Sequence, residues 1–119
     1  MIDRYSRKEI KEIWEDKNKY SIWLDIELAA AEAMEKLKII PKGVSKKVKS
    51  KAKINVKRIL QIEEKVKHDV IAFLTSINEK VGKDGRYLHK GMTSSDVLDT
   101  CFNFQLKKSG EILLNDINQ

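Results

Sequence analysis

The stretch from Gly91 to Asp96 holds the densest group of side chains that could bind an anion. After the glycine come three hydroxyls and a carboxylate: Thr93, Ser94, Ser95 and Asp96. Thr93 is predicted to be the N-cap of a helix, with Asp96 as its capping-box partner. The first turn of a helix has free N–H groups and partial positive charge, so these hydroxyls could also hold an anion. The residues alone leave both interpretations open and favour the simple cap.

Two histidines could exchange or donate a proton near neutral pH. His89 lies just before Gly91, and His68 lies at the break between two apolar-periodic segments. Asp69 follows His68 and could cap the second segment. A side chain at a helix break can reach out of the packed body, although the spacing alone favours a histidine that only fastens one helix to the next. The two histidines have no partners at ligand spacing, so we expect no metal site.

Near the start of the chain, Arg4 and Tyr5 could hold a phosphate. They precede the run Ser6 to Glu9, which is typical of a capping box. An arginine offers a fork of donors and a phenol offers another, so a phosphate could be held there. The alternative is a solvated arginine with no ligand.

Helical spacing of apolar residues predicts the elements that position these groups. We expect a short helix that begins with the Ser6 to Glu9 capping box, and further helices over about 16–37, 45–52, 56–67, 70–81 and 94–119. Tyr20, Trp23 and the single Cys101 are expected in the core. The last helix reaches residue 119 without a stop signal, which predicts that the chain continues. With 41% apolar and 35% charged residues, the composition favours a helical globular domain.

The net charge of +6 is unevenly distributed, since residues 36–58 contain ten basic residues and no acidic ones. Such a block could bind nucleic acid. It has no arginine before Arg58 and no aromatic residue for stacking, so we interpret it as a solvated face.

Three further features favour a cytoplasmic protein with no membrane partner. No apolar run approaches the roughly 20 residues that span a bilayer. The first residues lack the apolar core of a signal peptide. One cysteine cannot form an internal disulfide, which fits a reducing compartment.

Three segments together resemble the adenylosuccinate lyases of the fumarase/aspartase superfamily. They are Gly-Met-Thr-Ser-Ser-Asp-Val-Leu-Asp-Thr at 91–100, His-Asp-Val-Ile-Ala-Phe at 68–73 and Arg-Tyr-Ser at 4–6. The resemblance covers the whole chain but only the N-terminal part of such an enzyme. It implies an all-α fold with an N-terminal helical lyase domain at 1–93 and, at 94–119, the truncated first helix of the central helical-bundle domain.

The activity that the resemblance implies is a carbon–nitrogen lyase of purine biosynthesis without a cofactor. Such an enzyme eliminates fumarate from adenylosuccinate, giving AMP, and from the succinyl-carboxamide ribotide. The family's enzymes are homotetramers whose later catalytic segments lie beyond residue 119, so we expect the fragment alone to be inactive. A sibling enzyme such as an argininosuccinate lyase is the first alternative. A basic helical nucleic-acid-binding module is a more distant one.

The resemblance also assigns roles to individual residues. His68 is expected to assist catalysis. Lys67 stands at a position that varies in the family, where it could meet the anionic substrate or contribute only its backbone. The residues expected to bind substrate are Arg4, Tyr5, Lys67, His68, Asp69, Thr93 and Ser94, with His89 and Ser95 as further candidates.

Overall fold

The computed structural model describes residues 2–119, and within that range the chain forms helices and turns but no β-strand. The α-helices are α1 Lys8–Trp14, α2 Asp16–Lys36, α3 Val44–Lys51, α4 Val56–Val66, α5 Asp69–Val81 and α6 Ser94–Ile117, with short 3-10 helices at Asp3–Tyr5 and Gly82–Tyr87. The all-α prediction is confirmed, and the predicted helix ends agree to within about two residues. No helix in residues 2–119 is long and apolar enough to cross a membrane.

The core is centred on the buried side of α2. Tyr20 and Trp23 are each 1% exposed, which confirms their predicted place in the core. Their rings meet edge to face at 5.1 Å, and Trp23 meets Phe73 of α5 in the same way at 5.5 Å. Such aromatic pairs add about 0.5–1.5 kcal/mol to the free energy of burial. This cluster therefore holds α5, and the residue that precedes it, against the central helix.

The helices α4 and α5 form a hairpin whose corner lies at residues 67 and 68. The side chain of Asn55 accepts a hydrogen bond from Arg58 N–H at 3.0 Å and caps the start of α4, as predicted. Arg58 also makes two hydrogen bonds to the carboxylate of Glu79 on α5, at 2.6 and 3.0 Å. The helix α4 ends at Val66, and the left-handed backbone of the next residue, Lys67, with φ of 53°, turns the chain into α5.

The first half of α6 packs on α1 and α2. Val97, Cys101 and Gln105 are its buried residues, so the predicted core position of Cys101 is confirmed. The side-chain amide of Gln105 donates to the carbonyl of Ile13 at 2.9 Å. Trp14 donates to Ser109 Oγ at 3.0 Å. The middle of α6 is therefore anchored to the body of the fold.

The predicted capping box at the start of α1 is wrong. Arg7 is the residue before the helix, and no side chain caps it. The hydroxyl of Ser6 donates instead to the carbonyl of Ile2 at 2.6 Å. The reason is the 3-10 turn at Asp3–Tyr5, which brings that carbonyl within reach of the hydroxyl before the helix begins.

Candidate functional site

The corner between α4 and α5 meets the first residue of α6. His68 Nε2 lies 3.4 Å from Ser94 Oγ, although the two residues are 26 positions apart in the sequence. His68 Nδ1 accepts a hydrogen bond from Ile71 N–H at 3.3 Å and caps α5. Because Nδ1 is the acceptor, the proton of a neutral ring is on Nε2, the nitrogen that faces Ser94. We call this contact the His68–Ser94 corner.

The prediction that Asp69 caps α5 is wrong, because His68 takes that position. The extended backbone of His68 places its ring over the first turn, and Asp69 becomes the first helical residue. The carboxylate of Asp69 accepts from Val70 N–H at 2.7 Å and lies 3.6 Å from His68 Nδ1. Asp69 therefore lies at the corner but points its charge at its own first turn, where it complements the helix dipole.

At the start of α6 the predicted capping box is confirmed. Thr93 Oγ1 accepts from Ser95 N–H at 3.3 Å, and the carboxylate of Asp96 accepts from Thr93 N–H at 2.8 Å. Ser94 takes no part in this cap, and its hydroxyl contacts only His68 within residues 2–119. The hydroxyl of Ser95 is exposed and makes no hydrogen bond in the same part of the chain. The cap therefore accounts for Thr93 and leaves the hydroxyl of Ser94 unexplained.

Two backbone donors at this corner are free to meet a ligand. In the described chain, the N–H groups of Asp69 and Ser94, the first residues of α5 and α6, make no hydrogen bond. Helix starts leave such groups unsatisfied and carry partial positive charge. With the hydroxyl of Ser94 and the Nε2–H of His68, the corner offers several donors to one carboxylate.

His89 is held by a buried carboxylate that the sequence analysis did not identify. Glu27 on α2 is 1% exposed, and its Oε1 lies 2.6 Å from His89 Nδ1. Its Oε2 accepts from the backbone N–H of His89 at 2.8 Å. Glu27 lies four residues after Trp23 and four before Ala31, both core residues, so helical spacing could have placed it on the buried face.

Left-handed backbone occurs beside both histidines. Lys67 has φ of 53°, His89 has φ of 60° and Gly91 has φ of 71°. Residues other than glycine seldom adopt this conformation, and such strain is often found at functional sites. The side chain of Lys67 is exposed and makes no hydrogen bond or ion pair in residues 2–119.

Within residues 2–119, Arg4 and Tyr5 are not connected to the His68–Ser94 corner by any hydrogen bond. Both are on the 3-10 turn at Asp3–Tyr5 and are exposed, Tyr5 by 79%. No hydrogen bond or ion pair in that range joins either of them to His68 or Ser94. In the same part of the chain, no group of three or more His, Cys, Asp or Glu side chains is placed to hold a metal ion.

Comparisons with known proteins found relatives that match the whole chain. The chain is 48% identical over all of its 119 residues to an adenylosuccinate lyase from Synechocystis sp., covering 28% of that protein. It is 44% identical over the same length to an adenylosuccinate lyase from Thermotoga maritima, again covering 28%. No protein-family model matches the chain.

The fold agrees with the sequence comparisons. A fumarate lyase from a Mesorhizobium species superposes with a TM-score of 0.76 at 24% identity, over 87% of this chain and 26% of that one. The chain thus spans little more than a quarter of the length of these relatives. The chain is similar to adenylosuccinate lyases along its whole length, and its fold is similar to that of a fumarate lyase.

Proposed function

We propose that the full-length protein is an adenylosuccinate lyase, which releases fumarate from adenylosuccinate and from the succinyl-carboxamide ribotide of purine biosynthesis. The relatives that match the whole chain support this activity over that of a sibling such as an argininosuccinate lyase. The observation that carries the proposal is the contact between His68 Nε2 and Ser94 Oγ at the start of two helices.

The elimination needs donors around carboxylates. A base removes a proton beside a carboxylate, an acid helps expel the leaving group on the next carbon, and negative charge develops as the proton leaves. We assign one substrate carboxylate to the donors of the His68–Ser94 corner. His68 assists by holding its Nε2–H toward that carboxylate, and the exposed ammonium of Lys67 offsets part of the negative charge of the substrate.

We assign the nucleotide phosphate to Arg4 and Tyr5. A phosphate is far from the reacting carbons and is held similarly in the ground and transition states. Arg4→Ala should therefore raise KM by about tenfold, the loss expected for one hydrogen bond to a charged group, with little change in kcat. Arg7→Ala is the matched control, because Arg7 is already paired with Asp116. An unchanged KM in Arg4→Ala would contradict the assignment.

We propose that this chain supplies the residues on one side of the active site. We infer that the other catalytic groups come from the part of the relatives' length that the chain does not span, and that the full-length protein is a cytoplasmic homotetramer. We also propose that residues 1–93 form the N-terminal domain and that 94–119 begin the central helical bundle. The exposed apolar side chains along α6 support a further helical partner.

The test of this function distinguishes two roles of His68, which are to cap α5 through Nδ1 and to assist catalysis through Nε2–H. In the full-length protein, His68→Asn keeps a good acceptor for Ile71 N–H but has no atom at the position of Nε2. We expect fumarate release by the wild type, and a fall in kcat/KM of about 100-fold or more in His68→Asn. Its unfolding temperature should stay near that of the wild type.

Two outcomes would decide against these assignments. A full-length wild type that releases no fumarate from adenylosuccinate would refute the function. A His68→Asn variant with wild-type kcat/KM would refute the role of His68 while leaving the function standing. His68→Ala completes the set, because it should lose both the activity and about 1 kcal/mol of helix capping.

A further inference from the structure

Glu27 is the one carboxylate in residues 2–119 that is buried, and both of its oxygens contact a single residue. A buried charge is costly unless it is paired and hydrogen-bonded, so a carboxylate at this buried position calls for an explanation. Both contacts are to His89, which is 62 residues away in the sequence and lies in the loop that leads into α6. Hydrophobic packing alone would be served better by an apolar residue at this position.

One contact fixes the tautomer of the His89 ring, and the other fixes the backbone conformation of His89. Oε1 contacts the ring, and because a carboxylate only accepts, Nδ1 of His89 must carry the proton. The neutral ring then has its lone pair on Nε2. Oε2 accepts from the backbone N–H and holds the residue at a φ of 60°, which a histidine would otherwise seldom adopt. One carboxylate thus sets both the tautomer of the ring and the path of the loop.

The loop between His89 and α6 is short. Met92 N–H donates to the carbonyl of His89 at 3.3 Å, and Thr93 follows as the cap of α6. A shift of His89 would therefore be transmitted over four residues to Ser94. Displacements of about 1 Å can reduce a rate on the order of 100-fold.

We propose that Glu27 is a positioning residue for the lyase reaction: it holds the His89 ring in the Nδ1–H tautomer and fixes the loop that carries Ser94. This inference rests on the proposed function. Glu27 does not reach the substrate itself, since its side chain is fully buried. It acts through His89.

Glu27→Gln in the full-length protein tests the inference, because the amide has the same shape but only one accepting group. Its NH2 group only donates, so one of the two contacts to His89 loses its acceptor. We expect kcat/KM to fall about tenfold to 100-fold. Amide hydrogen exchange, read by mass spectrometry, should become faster in the peptide that spans residues 88–93.

Glu35→Gln is the matched control. Glu35 lies on the same helix, about 12 Å further along, and its carboxylate also accepts two hydrogen bonds, from Gly43 N–H at 2.9 Å and Ser45 N–H at 2.6 Å. Its substitution should accelerate exchange around residues 43–46 and leave kcat/KM unchanged. If Glu27→Gln does not fold, Glu27→Asp keeps the charge and lengthens both contacts, and should change the same measurements in the same direction.

A double-mutant cycle with His89→Asn shows whether Glu27 acts through His89. Asparagine tolerates the left-handed backbone but has no atom at the position of Nε2. In the His89→Asn background, adding Glu27→Gln should reduce kcat/KM by much less than it does in the wild type. Losses that simply multiply would overturn the inference, because Glu27 would then act independently of His89.

The outcomes separate this inference from the proposed function. If the wild type releases fumarate and Glu27→Gln keeps wild-type kcat/KM, the inference is overturned and the function stands. If the wild type releases no fumarate, the proposed function is refuted, and the role of Glu27 is tested by hydrogen exchange alone. Unchanged exchange over residues 88–93 then overturns the inference, whereas faster exchange supports the part of it that concerns the loop.

Discussion

At the candidate site, a single residue can serve both as a helix cap and in the proposed binding of substrate. His68 uses one ring nitrogen to cap α5 and presents the other to Ser94. The cap fixes the orientation of the ring, so the helix start preorganises a donor that would otherwise rotate freely. Preorganised donors are the groups that stabilise developing charge best. A capping role and a substrate-binding role are therefore compatible at this position.

At Thr93 and Ser94, helix capping and the proposed substrate binding fall on two neighbouring residues, so the two roles can be tested separately. Thr93 forms the capping box, so Thr93→Ala should cost about 1 kcal/mol of stability, read by thermal unfolding. Ser94 is outside the cap, so Ser94→Ala should leave stability nearly unchanged. It should lower kcat/KM by about tenfold to 150-fold, the worth of a buried hydrogen bond to a charged group.

Ser50→Ala is the control for loss of a serine hydroxyl, because Ser50 lies on α3 and its hydroxyl donates only to the carbonyl of Lys47. It should keep wild-type kinetics. Fumarate release and unfolding are measured on the same full-length variants. If Ser94→Ala loses stability but not activity, the hydroxyl of Ser94 serves the helix start rather than the substrate.

At the scale of whole elements, the connection between α2 and α3 depends on one carboxylate. Glu35, near the end of α2, accepts hydrogen bonds from the N–H groups of Gly43 and Ser45 and so satisfies the start of α3. These hydrogen bonds, with that of the Ser45 hydroxyl, lower the pKa of Glu35 below its ordinary value. No capping side chain comes from the residue that precedes α3, because that residue is Gly43.

This lowered pKa predicts a pH dependence of stability. A carboxyl whose pKa is lower in the folded state stabilises the fold at pH values above its unfolded pKa, about 4.3. That contribution is lost as the pH falls through the lower folded pKa. Glu35→Gln should therefore unfold at a lower temperature than the wild type at pH 7, and the difference should shrink as the pH approaches 3.

The control for Glu35 is Glu32, which is exposed on the same helix and makes no hydrogen bond or ion pair within residues 2–119. Glu32→Gln should show nearly the same unfolding temperature as the wild type across this range. A Glu35→Gln variant whose deficit stays constant down to pH 3 would show that shape, rather than charge, accounts for the contribution of Glu35.

At the scale of the whole molecule, the surface has a basic region and a region of exposed apolar side chains. The basic block follows the end of α2, α3 and the start of α4, and most of its lysines are exposed, as expected of a solvated face. On α6, by contrast, several large apolar side chains are exposed by 45–79%: Phe102, Phe104, Leu106, Leu113, Leu114 and Ile117. At helical spacing, Phe102, Leu106, Leu113 and Ile117 fall on one side of α6. Large exposed apolar patches are rare on stable monomers and mark interaction sites.

We expect this 119-residue chain to self-associate through α6. Sedimentation velocity should show a mass average that rises with concentration. Leu114→Glu, which changes a residue that is 61% exposed, should shift the chain toward the monomer. Leu60→Glu is the control, because Leu60 is 42% exposed but lies on α4 rather than on α6. A wild-type chain that remains monomeric at high concentration would contradict the prediction.

The sequence by itself determined the helices and much of their capping. The capping box of Thr93 and Asp96, the cap of Asn55 and the core positions of Tyr20 and Trp23 depend on interactions within a few residues or on a helical period. One local error arose where two acceptors competed for one helix start. At α5 the imidazole of His68 took the place expected for Asp69.

Only the tertiary structure decided which of the candidate residues meet. The contact of His68 with Ser94 spans 26 positions and that of Glu27 with His89 spans 62. Such pairs form because α5, α6 and the loop before α6 are brought together around α2 by aromatic and apolar packing. That packing is non-directional and proportional to buried area, so no local pattern in the sequence specifies the partners. The residue types at the site were therefore readable from the sequence, whereas the arrangement that could make them a binding site follows from the fold.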